Sequence, residues 1–123
     1  MKIKSVSGLT CYVQDLARTA EFYEMLGFET RKRETDHITV YSNWFWIDFL
    51  AADKDTRSGY REMAENTGGP FIYLSVDNVD EAYQELVAGG LKPASEPRNQ
   101  TWGNREFILR DPDGYNLVFF RRK

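Results

Sequence analysis

The chain has 123 residues, the size of one domain, and its 41% hydrophobic and 15% aromatic content is enough to fill a core. A formal net charge of −3, with acids and bases interspersed, excludes the basic footprint of a nucleic-acid binder. No apolar run approaches the ~20 residues that span a bilayer, and a single cysteine, Cys11, excludes an internal disulfide or a cysteine-only metal site.

In chain order, Leu9, Cys11 and Val13 alternate with Gly8, Thr10 and Tyr12, the period of a half-buried strand. Asp15 is placed to cap a helix in which Leu16, Ala20, Tyr23 and Leu26 recur at helical spacing, and Gly27 is placed to stop it. Strand-like runs follow at 28–34, 37–42 and 44–50, so this stretch reads β-α-β-β-β. A polar stretch ending in Gly68-Gly69-Pro70 reads as a connection over 53–69, with a short helix over 60–65.

The pattern then restarts. Ile72, Leu74 and Val76 alternate with Phe71, Tyr73 and Ser75, and Asn78 with Glu81 has the spacing of a capping box. Val79, Ala82, Tyr83 and Leu86 form the apolar stripe of a second helix, which Gly89-Gly90 ends. A short strand is predicted near 92–95, a loop over 96–104, and strands at 105–110 and 116–121. Asp111-Pro112-Asp113-Gly114 joins the last two, Pro presetting φ and Gly tolerating a positive one.

The two halves repeat each other: the stretch from Val13 to Phe28 reappears from Val76 to Leu91, an offset of 76 − 13 = 63 residues. Each copy is a supersecondary unit that completes its core beside the other. The prediction is an α+β protein of two tandem βαβββ modules, over 5–52 and 70–122 of a single domain 1–123. Side by side they would form a curved eight-stranded mixed sheet, helices outside and a concave groove inside. Alternation turns Leu9, Cys11, Val13, Ile72, Leu74 and Val76 toward the helices, making Cys11 a small buried hydrophobe. Gly8, Thr10, Tyr12, Phe71, Tyr73 and Ser75 then face the groove.

Candidate site residues come from that second face. Tyr12, Trp44, Trp46, Phe71 and Tyr73 share its parity, and Trp102 stands in the loop that could close over an opening. Such rings either fill the concave side or line a small-molecule site. The site reading is favoured, because no further layer is predicted to cover that face. Asp48 is either a polar contact to a bound molecule or a solvated strand residue. Arg105, close to Trp102, could stack on a ligand or pair with an anionic one. His37 reads as an ordinary strand residue.

Several segments carry a family resemblance. Val13-Gln14-Asp15-Leu16, the helix end from Glu21 to Phe28, Leu74-Ser75-Val76-Asp77-Asn78 and Asp111-Pro112-Asp113-Gly114-Tyr115 resemble the vicinal oxygen chelate superfamily of glyoxalases, dioxygenases and bleomycin-resistance proteins. The run from Trp102 to Gly114 is similar to the W-G-x-R-E-F-x-L-R-D-P-x-G segment of bleomycin-resistance-like members. In enzymatic members, the resemblance implies, His, Glu or Gln from the first and last strand of each module hold a divalent metal. Those positions fall here on Gly8, Asp48, Phe71 and Val118, of which only Asp48 could ligate.

The resemblance therefore implies a cytoplasmic, metal-independent binding protein without cofactor or catalytic residues. It would sequester a small aromatic or cationic molecule in an aromatic groove, as a homodimer. The alternative is a glyoxalase- or dioxygenase-related enzyme with a non-standard or absent metal site, using Asp48 with Tyr12 or Tyr73 as an acid-base pair. A third reading is a dimeric scaffold with no small ligand.

Overall fold

The computed structural model describes residues 1–2, 4–52 and 71–122. These residues form eight strands and two helices in the order β1 (Gly8–Val13), α1 (Leu16–Met25), β2 (Glu29–Arg33), β3 (His37–Ser42), β4 (Phe45–Ala51), β5 (Phe71–Ser75), α2 (Val79–Ala88), β6 (Arg98–Asn99), β7 (Asn104–Arg110) and β8 (Asn116–Arg122). The helix expected over 60–65 lies outside the described residues. The chain divides into two compact units, one carrying β1–β4 with α1 and the other β5–β8 with α2. Its eight strands form two hydrogen-bonded sheets of four, ordered β1-β4-β3-β2 and β5-β8-β7-β6.

The two tandem βαβββ modules share one topology. In each, the first strand pairs parallel with the last, and the other pairings are antiparallel. The helices start 63 residues apart (79 − 16) and end 63 apart (88 − 25). Register carries the equivalence into the sheets: Gly8 pairs with Trp46 as Phe71 pairs with Asn116, and Thr10 with Asp48 as Tyr73 with Val118.

The helix boundaries follow from the residues that stand there. Asp15 and Asn78 are extended N-caps whose side chains accept from the Arg18 and Glu81 amides at 3.1 and 3.0 Å. Both helices end in a Schellman motif, with left-handed Gly27 and Gly90 allowing Phe28 N–H to reach Tyr23 O and Leu91 N–H to reach Leu86 O. The helices then bury their apolar stripes. Tyr23, fully buried, packs edge-on to Phe28 and tilted on Phe49. In the second unit Phe107 stacks on Phe119 at 4.9 Å, and Tyr83 of α2 meets Phe107 edge-on. Cys11, Val13, Ile38, Val40, Ile47, Phe49 and Ile72 are buried, as the alternation requires of the helix-facing side.

Two predicted elements are corrected. Residues 92–95 form no strand; the short strand is Arg98–Asn99, inside the segment expected to be loop. Pro93 has no N–H and Pro97 follows closely, so the run crosses β7 with one backbone bond, from Ala94 N–H to Ile108 O. Trp44 is not a strand residue. Ser42 pairs with Phe45, leaving Asn43 (φ 55°) and Trp44 as the two-residue turn of the β3–β4 hairpin.

Candidate functional site

On the first unit's sheet, the side opposite α1 carries Gly8, Thr10 and Tyr12 from β1, Trp46, Asp48 and Leu50 from β4, and Thr39 and Tyr41 from β3. The Trp46 indole lies directly over its register partner: a β-carbon on Gly8 would overlap the ring atoms. Asp48 is only 6% exposed and accepts a hydrogen bond from Thr39 Oγ1 at 3.1 Å. Of the two readings of Asp48, the solvated strand residue does not fit this burial. Tyr12 is half-buried on the same side, whereas Trp44 projects from the hairpin at 70% exposure.

These residues do not make a metal site of the kind the resemblance implies. Gly8 brings no side chain and is covered by indole, Phe71 brings a hydrocarbon ring, and Val118 is a buried aliphatic residue. One carboxylate remains, already bonded to a hydroxyl. A divalent ion needs several oxygen, nitrogen or thiolate donors. Among the described residues no group of three His, Cys, Asp or Glu side chains is arranged to hold one.

The second unit contains a cavity of about 620 Å³, lined by Tyr73, Trp102, Gly103, Asn104, Phe120 and Arg122. Register explains why these meet. Asn104 pairs with Arg122, and Glu106 with Phe120, across β7 and β8, while β5 runs along β8 so that Tyr73 shares their face. Tyr73 and Phe120 are in edge-to-face contact at 5.5 Å. Trp102 comes from the four-residue β6–β7 loop, closed by Gln100 N–H to Asn104 O at 2.7 Å and Gly103 N–H to Gln100 O at 3.1 Å. Gly103 sits at φ 99°, a conformation that a side chain would strain. The loop presents Trp102 at 64% exposure, and Tyr73 and Phe71 are exposed by 52% and 55%.

Of the residues singled out from sequence, Tyr73 and Trp102 therefore share a cavity, and Phe71 lies two residues from Tyr73 on the same strand face. Tyr12, Trp46 and Asp48 share the corresponding face of the first unit. Arg105 has a different place. Neighbouring Asn104 faces the cavity, so Arg105 points to the α2 side, where it binds Asp80 through Nε and Nη2 at 2.9 and 2.7 Å and Asn99 through Nη1 at 3.2 Å. The hydrogen bond to the Asp80 carboxylate raises the guanidinium above its ordinary pKa.

Sequence reasoning missed Asn104, Phe120 and Arg122. The signal was available in β8, where the alternation through Val118 leads to Phe120 and Arg122 on one face. Glu106, also missed, is 5% exposed and accepts from Asn104 Nδ2 at 3.4 Å.

Comparison with known proteins agrees with this architecture. Bleomycin resistance proteins of Geobacillus stearothermophilus and Staphylococcus aureus are each 29% identical to the chain over 120 residues, covering 89% of it and 91% of theirs. A protein from the mobile metagenome of V. Pseudocholerae superposes with a TM-score of 0.80 at 22% identity, over 98% of this chain and 95% of that one. A lactoylglutathione lyase from Agrobacterium tumefaciens superposes with a TM-score of 0.79 at 15% identity, over 98% and 95%. These structural likenesses concern the fold. The model of the Glyoxalase/Bleomycin resistance protein/Dioxygenase superfamily matches residues 5–119, and with the duplicated βαβββ topology this places the chain in that superfamily.

Proposed function

We propose that the protein binds and sequesters a small molecule without a metal ion and without chemistry, as the relatives named for bleomycin resistance suggest. The observation that carries this reading is the ring-lined cavity of the second unit. At about 620 Å³ it has the size of a small-molecule pocket, and its lining combines three aromatic side chains with an amide and a guanidinium. Exposed Trp102 and Tyr73 would give up water-accessible apolar surface to a planar ligand, which favours binding without any bond being made or broken. The poor donor set at Gly8, Asp48, Phe71 and Val118 supports metal independence. A cytoplasmic homodimer is part of the proposal: the dimer rests on the family, and the cytoplasmic setting on the single cysteine, Cys11, which suits a reducing compartment.

The test is a ligand panel, bleomycin included, titrated against the intact protein while tryptophan fluorescence is followed, with divalent metal content measured on the same sample. Quenching that is lost in Trp102→Phe, in protein free of stoichiometric metal, is the expected result. A bound stoichiometric divalent ion that Asp48→Ala removes would overturn metal independence. Turnover of any panel compound would overturn pure sequestration.

A further inference from the structure

We infer that the second unit's cavity selects aromatic carboxylic acids, the ring lying among Tyr73, Phe120 and Trp102 and the carboxylate on Arg122. This rests on the reading of that cavity as a small-molecule site, and it replaces a cationic ligand with an anionic one.

Charge on the lining decides the class. Arg122 is the only charged residue among the six described residues that line the cavity, and none of the six is a carboxylate. Glu106, the nearest acid on that face of β7, is buried and accepts from Asn104. The chain's overall charge of −3 is thus locally reversed at this site. A cationic ligand would meet a guanidinium there, with no partner acid among the described residues of the wall.

The state of the neighbouring arginines narrows the argument. Arg105 is committed to Asp80, Arg110 to Asn116 Oδ1 at 3.1 Å, and Arg121 to the Asp77 carbonyl at 2.8 Å. Arg122 is exposed, and among the described residues its guanidinium has no hydrogen-bond or ion-pair partner. It stands at the end of β8 opposite Asn104, on the face that carries Phe120. A guanidinium is a planar, two-pronged donor that matches the two oxygens of a carboxylate. With one such group and no second cation among the described residues of the lining, a phosphate dianion would leave both charge and oxygen unmatched. The rings supply the remaining contact to a planar body.

Three compounds with one ring system separate the possibilities: 1-naphthylacetate, 1-naphthylacetamide and 1-naphthylmethylammonium. Each is titrated calorimetrically into the full-length protein, into Arg122→Gln and into Trp102→Ala. Arg122 is at an exposed strand end, so its replacement leaves the fold intact, which far-UV circular dichroism checks. The acid is expected to bind about tenfold tighter than the amide, as for one charge-assisted hydrogen-bonded pair, with the ammonium weakest. Arg122→Gln should erase the acid's advantage and leave the amide unchanged, whereas Trp102→Ala should weaken acid and amide together. Acid and amide binding alike, or the ammonium binding tightest, overturns the anionic assignment while the ring-lined site stands. If none of the three binds, this assignment falls; if the bleomycin-containing panel also leaves Trp102 fluorescence unchanged, the small-molecule reading falls with it.

Discussion

The Trp46 indole occupies the space that a side chain on Gly8 would need. The two residues are register partners on parallel strands β1 and β4, so the contact is built into the sheet. In the resemblance that the sequence shows, position 8 is where an enzyme would carry a metal ligand. Restoring one would require more than a mutation at residue 8, because the ring would have to move first.

The first prediction follows from that contact. Gly8→Ala should destabilise the protein by about 1–3 kcal/mol, the usual cost of overpacking. The cause is steric, since Gly8 is not among the positive-φ glycines. Adding Trp46→Ala should make the Gly8→Ala step nearly neutral, which a double-mutant cycle in urea would measure. An equal cost in both backgrounds would mean that the ring does not set the requirement for glycine.

A second prediction concerns the buried acid of the same sheet. Thr39 Oγ1 donates to Asp48 Oδ1 at 3.1 Å, and Asp48 is 6% exposed. Thr39→Val keeps the shape and removes the donor, and a charge-linked hydrogen bond of this kind contributes about 1–3 kcal/mol. The urea midpoint should fall with an unchanged slope, because the compactness of the unfolded state is not altered. Thr39→Ser should recover most of the loss.

Much of the fold was legible because local signals agreed with the duplication. Asp15 and Asn78, Gly27 and Gly90, and the alternation on β1 and β5 all lie 63 residues apart (78 − 15, 90 − 27), and each has the role its chemistry suggests. The site was less legible. Strand parity places Arg105 by its neighbour Asn104, and the strand begins at Asn104, which turns Arg105 toward α2 instead of toward Trp102. Arg122 closes β8, where a charged residue at a strand end resembles an ordinary solvated terminus. Only the pairing of Asn104 with Arg122 brings it beside the rings. The hairpin turn hid Trp44 in the same way, because a two-residue loop and a strand start differ by one position.

The duplication itself makes a third prediction. Asp15 and Asn78 cap equivalent helices of equal length, each accepting one amide about 3 Å away. Asp15→Ala and Asn78→Ala should each cost about 1 kcal/mol, with the two effects additive because the sites share no partner. Chemical denaturation of the two single variants and the double variant checks this. Strong coupling between the caps would show that the two helices do not respond independently.

A fourth prediction separates Arg105 from Arg122 in the second unit. Arg105 forms a two-bond pair with Asp80 of α2, and that carboxylate holds the guanidinium above its ordinary pKa, so it stays charged across the neutral range. Its role is therefore to tie β7 to the first turn of α2. Arg105→Gln should leave ligand affinity at the Trp102 cavity within about twofold, since Arg105 is bonded to Asp80 and Asn99 and does not itself line that cavity. Partial exposure of the pair, 29% for Arg105 and 53% for Asp80, means that salt screens it. The variant's small loss in melting temperature should shrink further at high ionic strength. Ligand affinity read by Trp102 quenching, in Arg105→Gln beside the unaltered protein, provides the check. A large loss of affinity in Arg105→Gln, with the fold intact, would move the site from the β5–β8 face to the α2 side of the sheet.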